Sequence, residues 1–315
     1  MIIIGGFTRL TNSGLSIVEW RPVTGIIPPL SEKDWQAEFT KYQNTPEYQQ
    51  VGVNIYLKEF KFIFWIEFLH RLAGRITGLI YLLPLLYFSV KQKLKTEDRL
   101  PHFLILILFF IQGFMGWYMV KSGLQSLPYI SHYRLAFHLI IAVLLYSLIF
   151  WQLMKKSFDI LLVSRTESFN KLRNLSLLLI VILYVQIFLG GLVAGLDAGL
   201  VYNSFPLMGN SFVPKELIFN QVNLNDPVFI QFIHRIGAYL LFIAASALVF
   251  LLFRLNNNKL SKVACYIALA LLLQVLTGII TVLYSVPLII ALTHQIGAII
   301  LLSTLLWCYF LLKNI

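Results

Sequence analysis

The chain has 315 residues, of which 58% are hydrophobic and only 12% charged, with a mean hydropathy of +0.78. Water-soluble domains are nearer half apolar and a quarter charged, so the composition excludes a soluble globular protein and indicates a polytopic membrane protein. The formal net charge of +11 does not indicate nucleic-acid binding: Lys and Arg sit in short loops between apolar runs, with no basic helix or soluble module to carry such a function.

Before the first span, residues 10–62 are half polar and aromatic-rich, with Trp20, Pro22, Pro28-Pro29 and Trp35. This segment reads as an ordered cap. Seven segments then reach the length needed to cross about 30 Å of hydrocarbon as helices: 66–90, 102–120, 134–154, 175–196, 229–253, 262–284 and 288–312. The connection at 91–101 carries Lys91, Lys93, Lys95 and Arg99. That at 155–174 carries Lys155, Lys156, Arg165, Lys171 and Arg173, and that at 254–262 carries Arg254, Lys259 and Lys262. The alternating connections are poor in basic residues, so the basic set is expected on the cytoplasmic side. No cleavable signal peptide is visible. Cys265 and Cys308 both fall inside apolar segments, which leaves no disulfide framework and no zinc or iron–sulfur pattern.

With this orientation His70, His138, His234 and His294 all lie in the first turns of spans entered from the outer side. Imidazole at membrane depth is costly and marks a functional site. A single such histidine is equally well an interhelical hydrogen-bond donor. Four at one depth, in two pairs, point instead to axial ligands of two haem groups. Small residues follow at i+4: Gly74, Ala142, Ala238 and Ala298, with Gly237 and Gly297 at i+3 of the later pair. They would leave room for a flat macrocycle. His102 and His132 read as solvated loop residues.

The chain also repeats itself. Gly5-Gly6 and Ser13-Gly14-Leu15 match Gly190-Gly191 and Ala198-Gly199-Leu200 at an offset of 185. His70-Arg71 matches His234-Arg235 at 164, Gln112 and Gly116 match Gln274 and Gly278 at 162, and His138 matches His294 at 156. Two parallel halves follow, 1–160 and 161–315, each of four helices. A full span precedes Gly190, but only Met1-Ile2-Ile3-Ile4 precedes Gly5. The repeat therefore predicts that most of helix 1 is missing from the sequence, through a misplaced start or truncation.

Glu67 precedes His70 by three residues and shares its face, with Cβ atoms about 5–6 Å apart. Its repeat counterpart is Gln231, which cannot ionise. A carboxylate there can act as a base or stabilise developing positive charge; it can also simply pair with Arg71 or hydrogen-bond near the haem edge. Haem propionates need cations at the interface. Arg71, Arg75, Arg134 and Arg235 lie at that depth, where ordinary snorkelling would also place them. Gln112, Gln186 and Gln274 are buried amides better suited to joining helices than to contacting substrate.

Two long runs resemble the haem A synthase family: Thr8-Arg9-Leu10-Thr11-Asn12-Ser13-Gly14-Leu15-Ser16-Ile17-Val18-Glu19-Trp20, and Phe60-Lys61-Phe62-Ile63-Phe64-Trp65-Ile66-Glu67-Phe68-Leu69-His70-Arg71 with its Glu-x-x-His-Arg core. Pro28-Pro29, Trp35 and Pro46-Glu47-Tyr48 resemble the branch found in proteobacteria and mitochondria. The resemblance runs through His294 and implies an all-α membrane fold of eight helices in two pseudosymmetric four-helix bundles. It implies oxidation of the C8 methyl of haem O to a formyl group, giving haem A for cytochrome oxidase. By the same resemblance His70 and His138 would ligate the iron of substrate haem O, His234 and His294 would ligate a haem b cofactor, and Glu67 would be the catalytic carboxylate. Expected partners are an electron acceptor, membrane lipid, haem O synthase and oxidase assembly factors, with room for a homo-oligomer. The expected location is the bacterial inner membrane, or the mitochondrial one in a eukaryote, with both sites toward the outer, periplasmic side. The chain departs from the family pattern in its short helix 1 and in lacking the outer-loop cysteine pair of some bacterial members. A bis-histidine electron-transfer cytochrome, or a haem transporter or chaperone, would also explain the histidine pairs, but not Glu67 facing Gln231; transporter sites moreover sit nearer the midplane on broken helices.

Overall fold

A computed structural model describes residues 1–125, 128–157, 167–219 and 223–313. All regular structure among them is helical apart from an isolated bridge between Met208 and Ser211. The helices are α1 (Ile2–Leu10), α2 (Glu32–Gln43), α3 (Pro46–Gln50), α4 (Leu57–Val90), α5 (Thr96–Gln125), α6 (His132–Ser157), α7 (Glu167–Gly195), α8 (Glu216–Phe219), α9 (Pro227–Phe253), α10 (Asn258–Leu283) and α11 (Leu288–Lys313). Seven of these, α4 to α7 and α9 to α11, are long and apolar enough to cross a membrane. The chain is thus an all-α, multi-pass membrane protein.

The helix starts carry local signals. Ser31 and Asp34 form a reciprocal capping box on α2. Asp226 caps α9 with Pro227 in its first turn, and Asn257 caps α10. Two histidines are placed differently from their sequence reading. His102 lies within α5, its Nδ1 2.8 Å from the Tyr81 hydroxyl, because the acidic Glu97 and Asp98 favour a helix start upstream of it. His132 opens α6 rather than sitting in a loop.

The chain divides into two compact units, Met1–Leu145 and Tyr146–Ile315. The boundary expected at 160/161 lies outside the described residues. In the second unit α7 packs against α9 and α11, and α10 packs against the same two, closing a four-helix ring. In the first unit α4 packs against α1, α2 and α5. The nine-residue α1 runs beside α4 only as far as Gly74, where the Met1 side chain ends. Beyond it Ile80 and Leu83 are 68% and 59% exposed.

Residues 10–56 fold as a cap on the first unit, and α4 begins nine residues before the expected span because its first turns belong to that cap. Phe60, Phe64 and Phe68, spaced at i, i+4 and i+8, are buried with Trp35, Phe39 and Tyr42 of α2. Trp35 meets Phe64 edge-on at 5.0 Å, and Tyr42 stacks on Phe60 at 5.2 Å. Each buried aromatic contributes about 1.5–3 kcal/mol.

Glu47 of α3 points its carboxyl at Tyr42, and its Oε2 is buried without a hydrogen-bond partner. Burial, reinforced by the charge of Glu67, pushes this carboxyl up from 4.5 to about 8. The folded cap therefore holds a proton that the open cap releases. That contribution to stability is complete below about pH 4.5 and is lost as pH rises through about 8. Hydrogen exchange of α2 and α3 amides, corrected for intrinsic rates, should show cap opening increasing from pH 7 to pH 9. Glu47→Gln should flatten that rise; equal slopes in both proteins would remove Glu47 from the effect.

Candidate functional site

Each of the four membrane histidines rests against a glycine of a neighbouring helix. A Cβ built on Gly5 of α1 would stand 3.2 Å from Cε1 of His70 on α4, and one on Gly116 of α5 would stand 3.2 Å from Cε1 of His138 on α6. In the second unit Gly190 of α7 gives 3.3 Å to His234 on α9, and Gly278 of α10 gives 2.8 Å to His294 on α11. His70 and His138 belong to the first unit, and His234 and His294 to the second.

The hydrogen bonds of two of the rings, His70 and His294, suit axial ligation through Nε2. The Thr8 hydroxyl donates to Ile4 O at 2.9 Å, so at 3.2 Å from His70 Nδ1 it can only accept. His70 therefore carries its proton on Nδ1 and keeps the Nε2 lone pair free. His294 Nδ1 faces Gln274 O at 3.1 Å, which fixes the same tautomer. Metal-binding imidazoles are commonly oriented by such a bond from the other ring nitrogen. His138 Nδ1 is buried without a partner, and Gln112 Nε2 lies 3.2 Å from its Nε2. Gln186 Nε2 donates to His234 O at 2.7 Å and lies 3.1 Å from its Nδ1. Among the described residues no group of three or more His, Cys, Asp or Glu could hold a bare metal ion. Two imidazoles suffice for an iron whose macrocycle supplies the other ligands, so the histidine pairs fit haem.

The three glutamines do join helices, as expected, and they do so through the histidines. The small residues at i+3 have a different use from the one expected. The space beside Gly237 and Gly297 is filled by the Gln186 and Gln274 side chains, and the residues that seat the rings come from the facing helix.

Around the rings the two units repeat the same attachments. Arg71 donates to Ile17 O at 2.9 Å and Glu19 O at 3.1 Å. Arg235 donates to Tyr202 O and Ser204 O, both at 2.8 Å, at the same offset of 185. Gly14 packs against Ile130 and Gly199 against Val286. Arg75 donates to Arg21 O and Pro22 O. Arg134 donates to Tyr118 O at 2.7 Å and lies 3.7 Å from the Tyr118 ring centroid. All four candidate arginines thus hold backbone carbonyls.

Glu67 is buried, and three donors converge on it. Ser16 Oγ at 2.7 Å and Ile17 N at 2.8 Å reach Oε2, and Arg71 Nη2 reaches Oε1 at 2.6 Å. Gln231, also buried, instead donates to Tyr202 O at 3.0 Å. Thr8 and Ser16 were not singled out by sequence reasoning. Thr8 faces Val193 in the repeat, so the internal comparison carried no signal for it.

The model of a family described as cytochrome oxidase assembly protein matches residues 1–306. The chain belongs to the cytochrome oxidase assembly protein family. It is 58% identical over 317 residues to a Rickettsia felis protein named "Heme A synthase", covering 100% of this chain and 94% of that protein. Proteins of the same name from Rickettsia rickettsii and Rickettsia bellii are 57% identical over 316 residues and 58% over 317, with 99% and 100% of this chain and 94% of each relative covered. In this member of the cytochrome oxidase assembly family, the glycine seats make a direct test of the histidine pairs. Gly278→Val should push His294 out of place and lower the haem-to-protein ratio of the purified protein. Gly113→Val, at a position with nothing within 4 Å, should leave the ratio unchanged. Equal haem content in the two variants would dissociate the glycine from ligand placement.

Proposed function

We infer that this protein is an enzyme that oxidises the C8 methyl group of haem O to a formyl group by successive hydroxylations, making haem A for cytochrome c oxidase. The observation that carries the reading is one histidine-pair architecture built twice, with an ionisable Glu67 in one copy and the amide of Gln231 in the other. The relatives named "Heme A synthase" over nearly the whole chain support the same activity.

In this reading His70 and His138 hold the iron of substrate haem O. His234 and His294 hold a resident haem b, which supplies one-electron redox capacity when bound. Thr8 orients His70, and Gln274 orients His294. Glu67, tied by three donors, suits a fixed charge that stabilises cationic character at the reacting carbon better than a base that must move a proton. Arg71, Arg75, Arg134 and Arg235 line the loop edge of the two sites, where propionates would lie. The basic loops face the cytoplasm, which sets both sites toward the periplasmic side of the inner membrane. An electron acceptor, haem O synthase and oxidase assembly factors are the partners this activity calls for.

Supplying haem O and an electron acceptor to the purified protein, followed by analysis of the extracted haems, should yield hydroxylated haem O or haem A. A stable bis-histidine spectrum without conversion would favour a simple electron-transfer cytochrome. Glu67→Gln should keep the resident haem and lose conversion, and unchanged turnover would remove Glu67 from the chemistry. His234→Ala should lose the resident haem b spectrum; an unaltered spectrum would refute its role as ligand.

A further inference from the structure

Two cations line one pocket of the first unit. Arg71 of α4 and Lys121 of α5 line it together with Trp20, Trp117, Val18 and Val120. Each cation lies over an indole: Arg71 is 5.5 Å from the Trp20 ring centroid and Lys121 is 5.1 Å from that of Trp117. The pocket draws on the same helices as the first histidine pair: Arg71 directly follows His70, and Trp117 directly follows Gly116, which seats His138. The charge of Arg71 is matched by Glu67 at 2.6 Å. Lys121 is exposed and has no ion-pair partner among the described residues. The pocket therefore carries an uncompensated positive charge at the rim of the site.

The second unit does not repeat this feature. At the offsets that align the two halves, Trp117 falls on Ile279, Lys121 on Leu283 and Trp20 on Phe205, while Arg71 falls on Arg235. The structural attachment made by Arg71 is kept, but the free cation and both indoles belong to the first half alone. The added cation and its indoles therefore set the half assigned to the exchanging substrate apart from the half assigned to the resident haem.

We propose that Lys121, backed by Trp117 and flanked by Arg71, is a carboxylate-binding site that recognises a propionate of the substrate haem. The carboxylate accepts hydrogen bonds from the ammonium and from the guanidinium edge, and the indoles wall it from lipid. The proposal rests on the assignment of substrate to the His70/His138 pair. A lipid phosphate would satisfy the same cation, and the two sources separate experimentally.

The test is a spectral titration of detergent-purified protein, with its second-site haem in place, using haem O and haem O dimethyl ester, whose propionates are uncharged. Lys121→Ala should weaken haem O binding about tenfold and leave binding of the diester unchanged. Lys121→Arg should restore most of the affinity for the free acid. Equal weakening of both ligands, or none of either, would overturn the proposal and leave Lys121 as a lipid-facing cation. Haem O binding left unchanged by His70→Ala would instead overturn the placement of substrate in the first half, and this inference with it.

Discussion

The structure depends on letting an imidazole touch another helix's backbone. Protein interiors are packed without spare volume, so a ring can lie there only where the facing helix has no side chain. Gly5, Gly116, Gly190 and Gly278 supply four such places. Each ring thereby makes a contact between two helices: α1 with α4, α5 with α6, α7 with α9, and α10 with α11. Small residues at membrane helix interfaces usually serve close backbone approach. Here the gap they leave takes a histidine ring, so positioning the imidazole and assembling the bundle are one interaction.

A second constraint acts on the loops. A connection that leaves a membrane helix and turns back over it exposes carbonyls where water is scarce, and an unpaired buried carbonyl is costly. Arg71 and Arg235 meet this cost at equivalent places, each spanning two carbonyls two residues apart. The arginine that follows each first histidine is therefore a buckle as well as a rim charge. It ties the helix that carries the histidine to the loop that returns over it.

Much of this was legible in the sequence, because hydropathy over twenty residues reports a span regardless of its neighbours. The ends of spans were less so. α4 runs back to Leu57 because Phe60 and Phe64 pack on Trp35 and Tyr42, a contact between distant segments that no local window contains. His102 sits in a stretch whose charges read as a loop, yet Glu97 and Asp98 are favourable at a helix start. The pairing of Gly5 with Gly190 and of Gly116 with Gly278 was visible as a repeat. Which histidine each glycine serves was not, since a repeat reports which positions correspond and not which positions touch. Thr8 had no matching residue to draw attention to it, and its role follows only from where its proton goes.

The two halves finally separate mechanical need from chemical need. Glu67 accepts from Ile17 N, and Gln231 donates to Tyr202 O, at positions related by the same repeat. Both side chains secure the returning loop, and both stand one turn before the arginine that buckles it. The amide does this without charge, so loop attachment alone does not call for a carboxylate. In the first half the protein nonetheless buries a carboxylate, with Arg71 as counter-ion, at the desolvation cost that a buried ion pair carries. The expense falls only in the half that also carries Trp20, Trp117 and Lys121. Charge at Glu67 and charge at the pocket mouth thus mark the same copy of a duplicated scaffold, as they would if one copy holds its haem and the other processes it.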